Sequence, residues 1–324
     1  MFIKIDWKIG FYKGKTMKQD KKIDYLIGLY KTERSHHIIF GELAAREKDK
    51  KLKKVLEGLA SAEQKHAKMW AQIIEINDIR LPMGTSKFFI YTIMLIRKLF
   101  GLVLAVKTME YFESQLDNKI FEIEKHKELK ESERNIIREI IKDELKSEEP
   151  LKDQLVKYST ILKNIRDVII GMNDGLVEVL AAVAGLGAAL QTPLLTLIGG
   201  IIIALSGTLS MTGSAYLSTS YESHINAGKQ KSASSSALYV GGAYVLGAIF
   251  PLIPFIFGIK GYLGIVAAIV LTAIVLSVVA SLIAVISSIS IKRNVLKTLT
   301  ISIGSALITI ALGAFARSVL HITI

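Results

Sequence analysis

The chain has 324 residues, is 51% hydrophobic, lacks cysteine and carries a formal net charge of +12. Without cysteine there are no disulfides, thiolate metal sites or cysteine-held iron–sulfur clusters. The basic charge comes with no aromatic–basic platform and no zinc finger, which sets nucleic acid aside and suits a face turned to anionic lipid. Residues 1–166 hold nearly all the Lys, Arg, Asp and Glu, whereas 167–324 are almost entirely Ile, Leu, Val, Ala, Gly and Ser. Such a split reads as an all-α chain in three parts. These are a lead-in over 1–19, a polar cytoplasmic domain over 20–158 and a transmembrane domain over 159–324. The lead-in has no apolar stretch followed by a small-residue cleavage site, so no signal peptide is expected.

In the polar part the apolar spacing predicts helices over 20–47, 49–77, 87–126 and 129–158. In the first, Ile23, Leu26, Tyr30, Glu33, His37, Phe40 and Ala44 share a face. The second places Leu52, Val55, Leu59, Glu63, His66, Trp70 and Ile73 together, and the third Val103, Val106, Glu110, Glu113 and Ile120. The fourth aligns Ile137, Ile140, Glu144, Ser147 and Leu151. Each stripe therefore carries a carboxylate where the core should be. Four buried acids facing one another repel, unless a cation cluster reverses the sign. Glu63 and His66, three residues apart, point to one metal from one face. His36 and His37 stay ambiguous: His37 follows Glu33 by four residues and reads as a second donor or a packed core histidine. The run 88–106 approaches membrane length but holds Arg97 and Lys98. It reads as a crossover leading into the third helix, with its apolar face on the membrane surface.

This pattern is that of di-iron carboxylate bundles, in which two helices give single Glu ligands and two give Glu-x-x-His. The domain resembles the rubrerythrin-like branch of the ferritin-like superfamily. That resemblance implies Glu33 as the first-helix ligand, Glu63 with His66 as a pair, Glu110 with Glu113 as a second pair, and Glu144 as a bridge. It also implies a His three residues after Glu144, where this chain has Ser147, with only Glu148 nearby.

The apolar part predicts five spans, roughly 168–190, 193–218, 237–259, 261–289 and 295–319, each long enough for a bilayer. Lys157, Lys163 and Arg166 precede the first; Lys229 and Lys231 follow the second; Lys292, Arg293 and Lys297 follow the fourth. The other side carries only Lys260, apart from Arg317 and His321 at the end, so the positive-inside rule predicts a cytoplasmic N-terminal domain and an external C-terminus. In the first span Asp174 and Glu178 lie four residues apart on one face. A charge at mid-membrane costs at least about 2.5–3.5 kcal/mol and usually marks a pathway or a pair. Met211 sits among small residues of the second span, and Glu222 closes it.

"RDVIIGMNDGLVEVLAAVAGLGAA" followed by "LSMTGSAYLSTSYES" resembles the vacuolar iron transporter family over about residues 160–324. The resemblance implies five spans, a homodimer, and exchange of Fe²⁺ or Mn²⁺ for protons. Asp174, Met211 and Glu222 match its pathway residues, with Glu178 beside them. Two departures stand out. Ile203 occupies a position where plant members carry an acid, and the link "HINAGKQKSAS" replaces their acidic module. The expected function is export of Fe²⁺ or Mn²⁺ from the cytoplasm, with the bundle delivering or sensing the metal. The alternative is a membrane-anchored di-iron ferroxidase or peroxidase.

Overall fold

The computed structural model describes residues 19–82, 84–124, 129–147, 150–151, 159–225 and 232–320. Among them the chain forms ten helices and divides into two compact units that meet at Ser159 and Thr160. The lead-in up to residue 18, Glu148, and Lys229 and Lys231 in the link after the second span lie outside the described residues.

The first unit contains α1 (Gln19–Ala45), α2 (Lys50–Ile76), α3 (Lys87–Phe100), α4 (Leu102–Glu124) and α5 (Glu131–Ser147). Helix α2 starts where Asp49 accepts hydrogen bonds from the backbone N–H groups of Lys51 and Leu52, satisfying two donors left open at a helix start. Helix α1 packs along α2, α2 on α5 and α5 on α4, while α3 packs on α1 and α4. Two apolar layers fill the interior. One gathers Ile39, Phe40 and Leu43 with Leu56, Ile93 and Met109. The other gathers Leu26 and Leu29 with Trp70, Ile73, Ile120 and Ile140. The buried acids lie on the same helices between these layers.

Two sequence expectations change here. The third helix, read as continuous over 87–126, breaks at Gly101, whose φ of 86° is open to glycine and strained for other residues. Helix α3 therefore ends on the bond from the Gly101 N–H to the Arg97 carbonyl, and α4 begins anew. Secondly, the inward face of α1 is not the stripe through His37. It runs through Leu26, Leu29, Glu33, His36, Phe40 and Leu43, all buried. Both stripes alternate steps of three and four and share Leu26, Glu33 and Phe40; they differ by one residue, about 100° around the helix, where Leu29 and His36 are buried in place of the half-buried Tyr30 and His37.

The second unit contains α6 (Ser159–Leu190), α7 (Pro193–Ile225), α8 (Ala233–Ile256), α9 (Gly261–Ile286) and α10 (Ile291–Leu320). All five are long and apolar enough to cross a membrane. The chain is thus a multi-pass membrane protein. Helix α6 begins well before residue 168, the expected start of the first span, and this places Asp174 and Glu178 near the middle of the apolar stretch Ile161–Leu190. Small residues set the closest crossings. A Cβ on Gly175 would strike the Tyr244 carbonyl, and one on Gly247 the Met172 carbonyl, so α6 and α8 meet backbone to backbone.

Candidate metal centre

Four helices converge their acids in the first unit. Glu33 (α1), Glu63 (α2), Glu113 (α4) and Glu144 (α5) are all at most 5% exposed. Two groups of ligand atoms each lie within 4.8 Å of one another: Glu33, His36 and Glu63, and then Glu63, His66 and Glu144. Glu63 belongs to both. His66 Nδ1 stands 3.0 Å from Glu144 Oε2. His36 Nδ1 stands 3.8 Å from Glu63 Oε2 and 3.7 Å from Glu113 Oε1, which brings Glu113 to the first group. The indole N–H of Trp70 donates to Glu33 Oε1 at 3.2 Å and fixes that carboxylate.

Sequence reading missed His36. Glu33 and His36 form a second Glu-x-x-His, with both side chains on one helical face. The spacing was visible in "ERSH", one residue before the histidine that drew attention. His37 turns away, its Nδ1 2.7 Å from the Ala60 carbonyl oxygen. The expectation for Glu110 also changes: it lies in neither group and pairs instead with Lys107 at 2.9 Å, a turn away on α4. Ser147 ends α5, and its side chain lies outside the described residues.

Burial pushes Glu63 well above the usual carboxylate range, and neighbouring Glu33, Glu144 and Glu113 push further. Burial raises Glu33 as well, with Glu144 adding to it. His36 is pushed down to about 3 by burial. His66 feels the same burial, yet Glu144, Glu33 and Asp143 carry it upward. Burial thus favours the proton-bound form of Glu33 and Glu63, because bare carboxylates are costly away from water. Glu33 Oε2, Glu63 Oε2 and His36 Nδ1 are buried with no hydrogen-bond partner. Buried polar atoms are rarely left so. Carboxylate oxygens and imidazole nitrogens suit Fe²⁺, Mn²⁺ or Zn²⁺, and a cation entering would displace the protons. The residues fit a metal.

The acids of the second unit are arranged differently. Asp174 and Glu178 sit one turn apart on α6, about 6 Å along the axis. Asn173 Nδ2 donates to Asp174 Oδ1 at 3.3 Å. The Tyr244 hydroxyl, on α8, donates to Glu178 Oε2 at 2.7 Å. Tyr244 is fully buried and its phenol lies against Gly207 of α7, where any Cβ would collide. This three-helix knot was not legible as a site, because a tyrosine in an apolar run reads as packing. Met211 is half-buried against the layer that includes Tyr244. Glu222 is exposed, 11 residues on along α7 or about 16 Å of helix rise, so Met211 and Glu222 lie at different levels of α7.

Five helices long and apolar enough to cross a membrane, with Asp174 and Glu178 inside the first, define a multi-pass membrane domain. Comparison with known proteins narrows the class: residues 165–232 and 221–314 match the VIT family. Vacuolar iron transporter 2 of Oryza sativa subsp. japonica is 34% identical over 82 residues, 25% of this chain. The chain spans about a third (33%) of that relative's length. Both matches support a transporter family for the membrane half.

Proposed function

We propose that the protein moves Fe²⁺ or Mn²⁺ across a membrane, out of the cytoplasm and in exchange for protons. Its N-terminal unit is a ferritin-like bundle that binds the same metal and delivers or senses it. The observation that carries this reading is the pair of buried groups sharing Glu63, in one chain with a membrane half similar to iron transporters. The donor set of the bundle is a Glu-x-x-His from each of α1 and α2 and a single Glu from each of α4 and α5, which is the two-metal arrangement on different helices from those expected. Glu33, His36, Glu63, Glu113, His66 and Glu144 would hold the ions.

In the membrane the metal is cargo. Asp174 and Glu178 offer anionic oxygens to replace lost hydration, Met211 a thioether, and Glu222 a collecting acid at the span end. By the positive-inside rule the basic residues of the links favour a cytoplasmic side for that end and for the N-terminal unit. Glu178 is exposed on the surface of the single chain. A carboxylate does not face lipid cheaply, so a second copy covering α6 is the simplest partner, and the protein works as a homodimer.

One observation favours the alternative, a membrane-anchored ferroxidase or peroxidase. His36 supplies a second nitrogen donor, so the lack of histidine at 147 does not starve the centre. When bound there, two iron ions supply oxygen-dependent redox chemistry. Proteoliposomes separate the readings: Fe²⁺ or Mn²⁺ uptake driven by a proton gradient supports transport. Absence of uptake, with oxygen-dependent Fe²⁺ oxidation by the same sample, hands the case to the oxidase.

A further inference from the structure

Helix α3 is apolar on two sides. Phe89 and Ile93 are buried against the interior and fix its rotation. On the opposite side Phe88, Tyr91, Leu95 and Leu99 recur at steps of three and four, with Tyr91 67% and Leu99 63% exposed. A contiguous outward row of this size marks an interaction surface. The helix has 14 residues, about 21 Å, too short to span a bilayer. It carries Lys87 at its start and Arg97 and Lys98 near its end, and no acid between.

The Arg97 guanidinium donates to the Arg46 carbonyl at 2.9 Å, which ties the end of α3 to the α1–α2 turn. That turn exposes Lys48, Lys50, Lys51 and Lys54. Its two acids are engaged locally: Asp49 caps α2, and Glu47 accepts from the backbone N–H groups of Lys48 and Asp49. An apolar row rich in aromatic rings thus ends beside a cluster of lysines.

We infer that the outward face of α3, with the adjoining lysines of the α1–α2 turn, binds the anionic surface of the bilayer in which the same chain is embedded. Aromatic and leucine side chains enter the acyl boundary while lysines meet lipid phosphates. A second copy fits this face less well. Two-fold antiparallel pairing of α3 would set Lys87 of one helix against Lys98 of the other, with no acid on the helix to compensate. The inference needs the chain in a membrane and is indifferent to which metal it carries.

The chain has no cysteine, so single labels are clean. Spin labels placed through Tyr91→Cys and Leu95→Cys in the full chain, in lipid nanodiscs, report collision with oxygen against a water-soluble nickel chelate. Position 57, exposed on α2, serves as the aqueous control through Glu57→Cys. In discs containing phosphatidylglycerol the oxygen-to-nickel ratio is expected to be severalfold higher at 91 and 95 than at 57. Lys51→Glu with Lys98→Glu, added to Tyr91→Cys, is expected to lower it. Water-like ratios at 91 and 95 would overturn the inference. So would shielding that comes with dipolar coupling between labelled copies and vanishes on dilution with unlabelled chain, because the occupant is then the second copy.

Discussion

The two halves both group acids, but in opposite ways. In the N-terminal unit Glu33, Glu63, Glu113 and Glu144 come from four helices to one spot, with two imidazoles among them. In the membrane unit Asp174 and Glu178 come from one helix, helped by one amide and one phenol. A closed cage of six donors favours retention. A short ladder along a single helix favours passage, since a carried ion must leave as readily as it enters. On the proposed function, the same residue type serves holding in one region and movement in the other.

The sharpest way to break this contrast is Asp174→Asn. The amide keeps the shape and removes both the anionic oxygen and the titrating group, so uptake of Fe²⁺ or Mn²⁺ by proteoliposomes should fall to background. Metal binding by the same purified chain should persist, because the cage lies in the other unit. Full uptake by the variant would remove Asp174 from the pathway.

Glu63→Ala comes next. Because Glu63 belongs to both groups, its loss should weaken metal binding by at least about 100-fold, the upper end for loss of a residue that merely supports a ligand. Calorimetric titration checks this, and unchanged affinity would dissolve the cage.

A finer comparison is His36→Gln beside His37→Gln. The first should weaken one of the two ions about 10–100-fold, and the second should leave binding unchanged. Equal effects would mean that the inward face of α1 is misassigned. The smallest effect belongs to Tyr244→Phe. It deletes the hydroxyl that donates to Glu178, a hydrogen bond worth about 0.5–1.5 kcal/mol, and should alter uptake rate severalfold while folding stays intact. An unchanged rate would make Tyr244 a packing residue.

Much of this was legible in the chain itself. Spans announce themselves by length of apolar run, because lipid demands a helix whose backbone bonds are internal. The polar interruptions of the amphipathic stripes were visible too: Glu63, His66 and Glu144 are buried where the periodicity put them. Legibility failed where one residue of helical phase or one local pairing decided the outcome. His36 and His37 differ by 100° around the helix, and only the neighbours of α1 decide which one faces inward. Glu110 looked like a ligand by resemblance, yet Lys107 at i−3 takes it. Gly101 sat inside an apolar run with nothing in its composition to mark a break. Tyr244 became notable only once α6 and α8 were seen to touch through Gly175 and Gly247.

The most direct test of the cage is anomalous X-ray scattering from crystals of the full chain grown with Mn²⁺ or Fe²⁺. Two peaks are expected on either side of Glu63, one held by Glu33 and His36 and the other by His66 and Glu144. A single peak at Glu110, or ordered carboxylates with no peak among them, would contradict it.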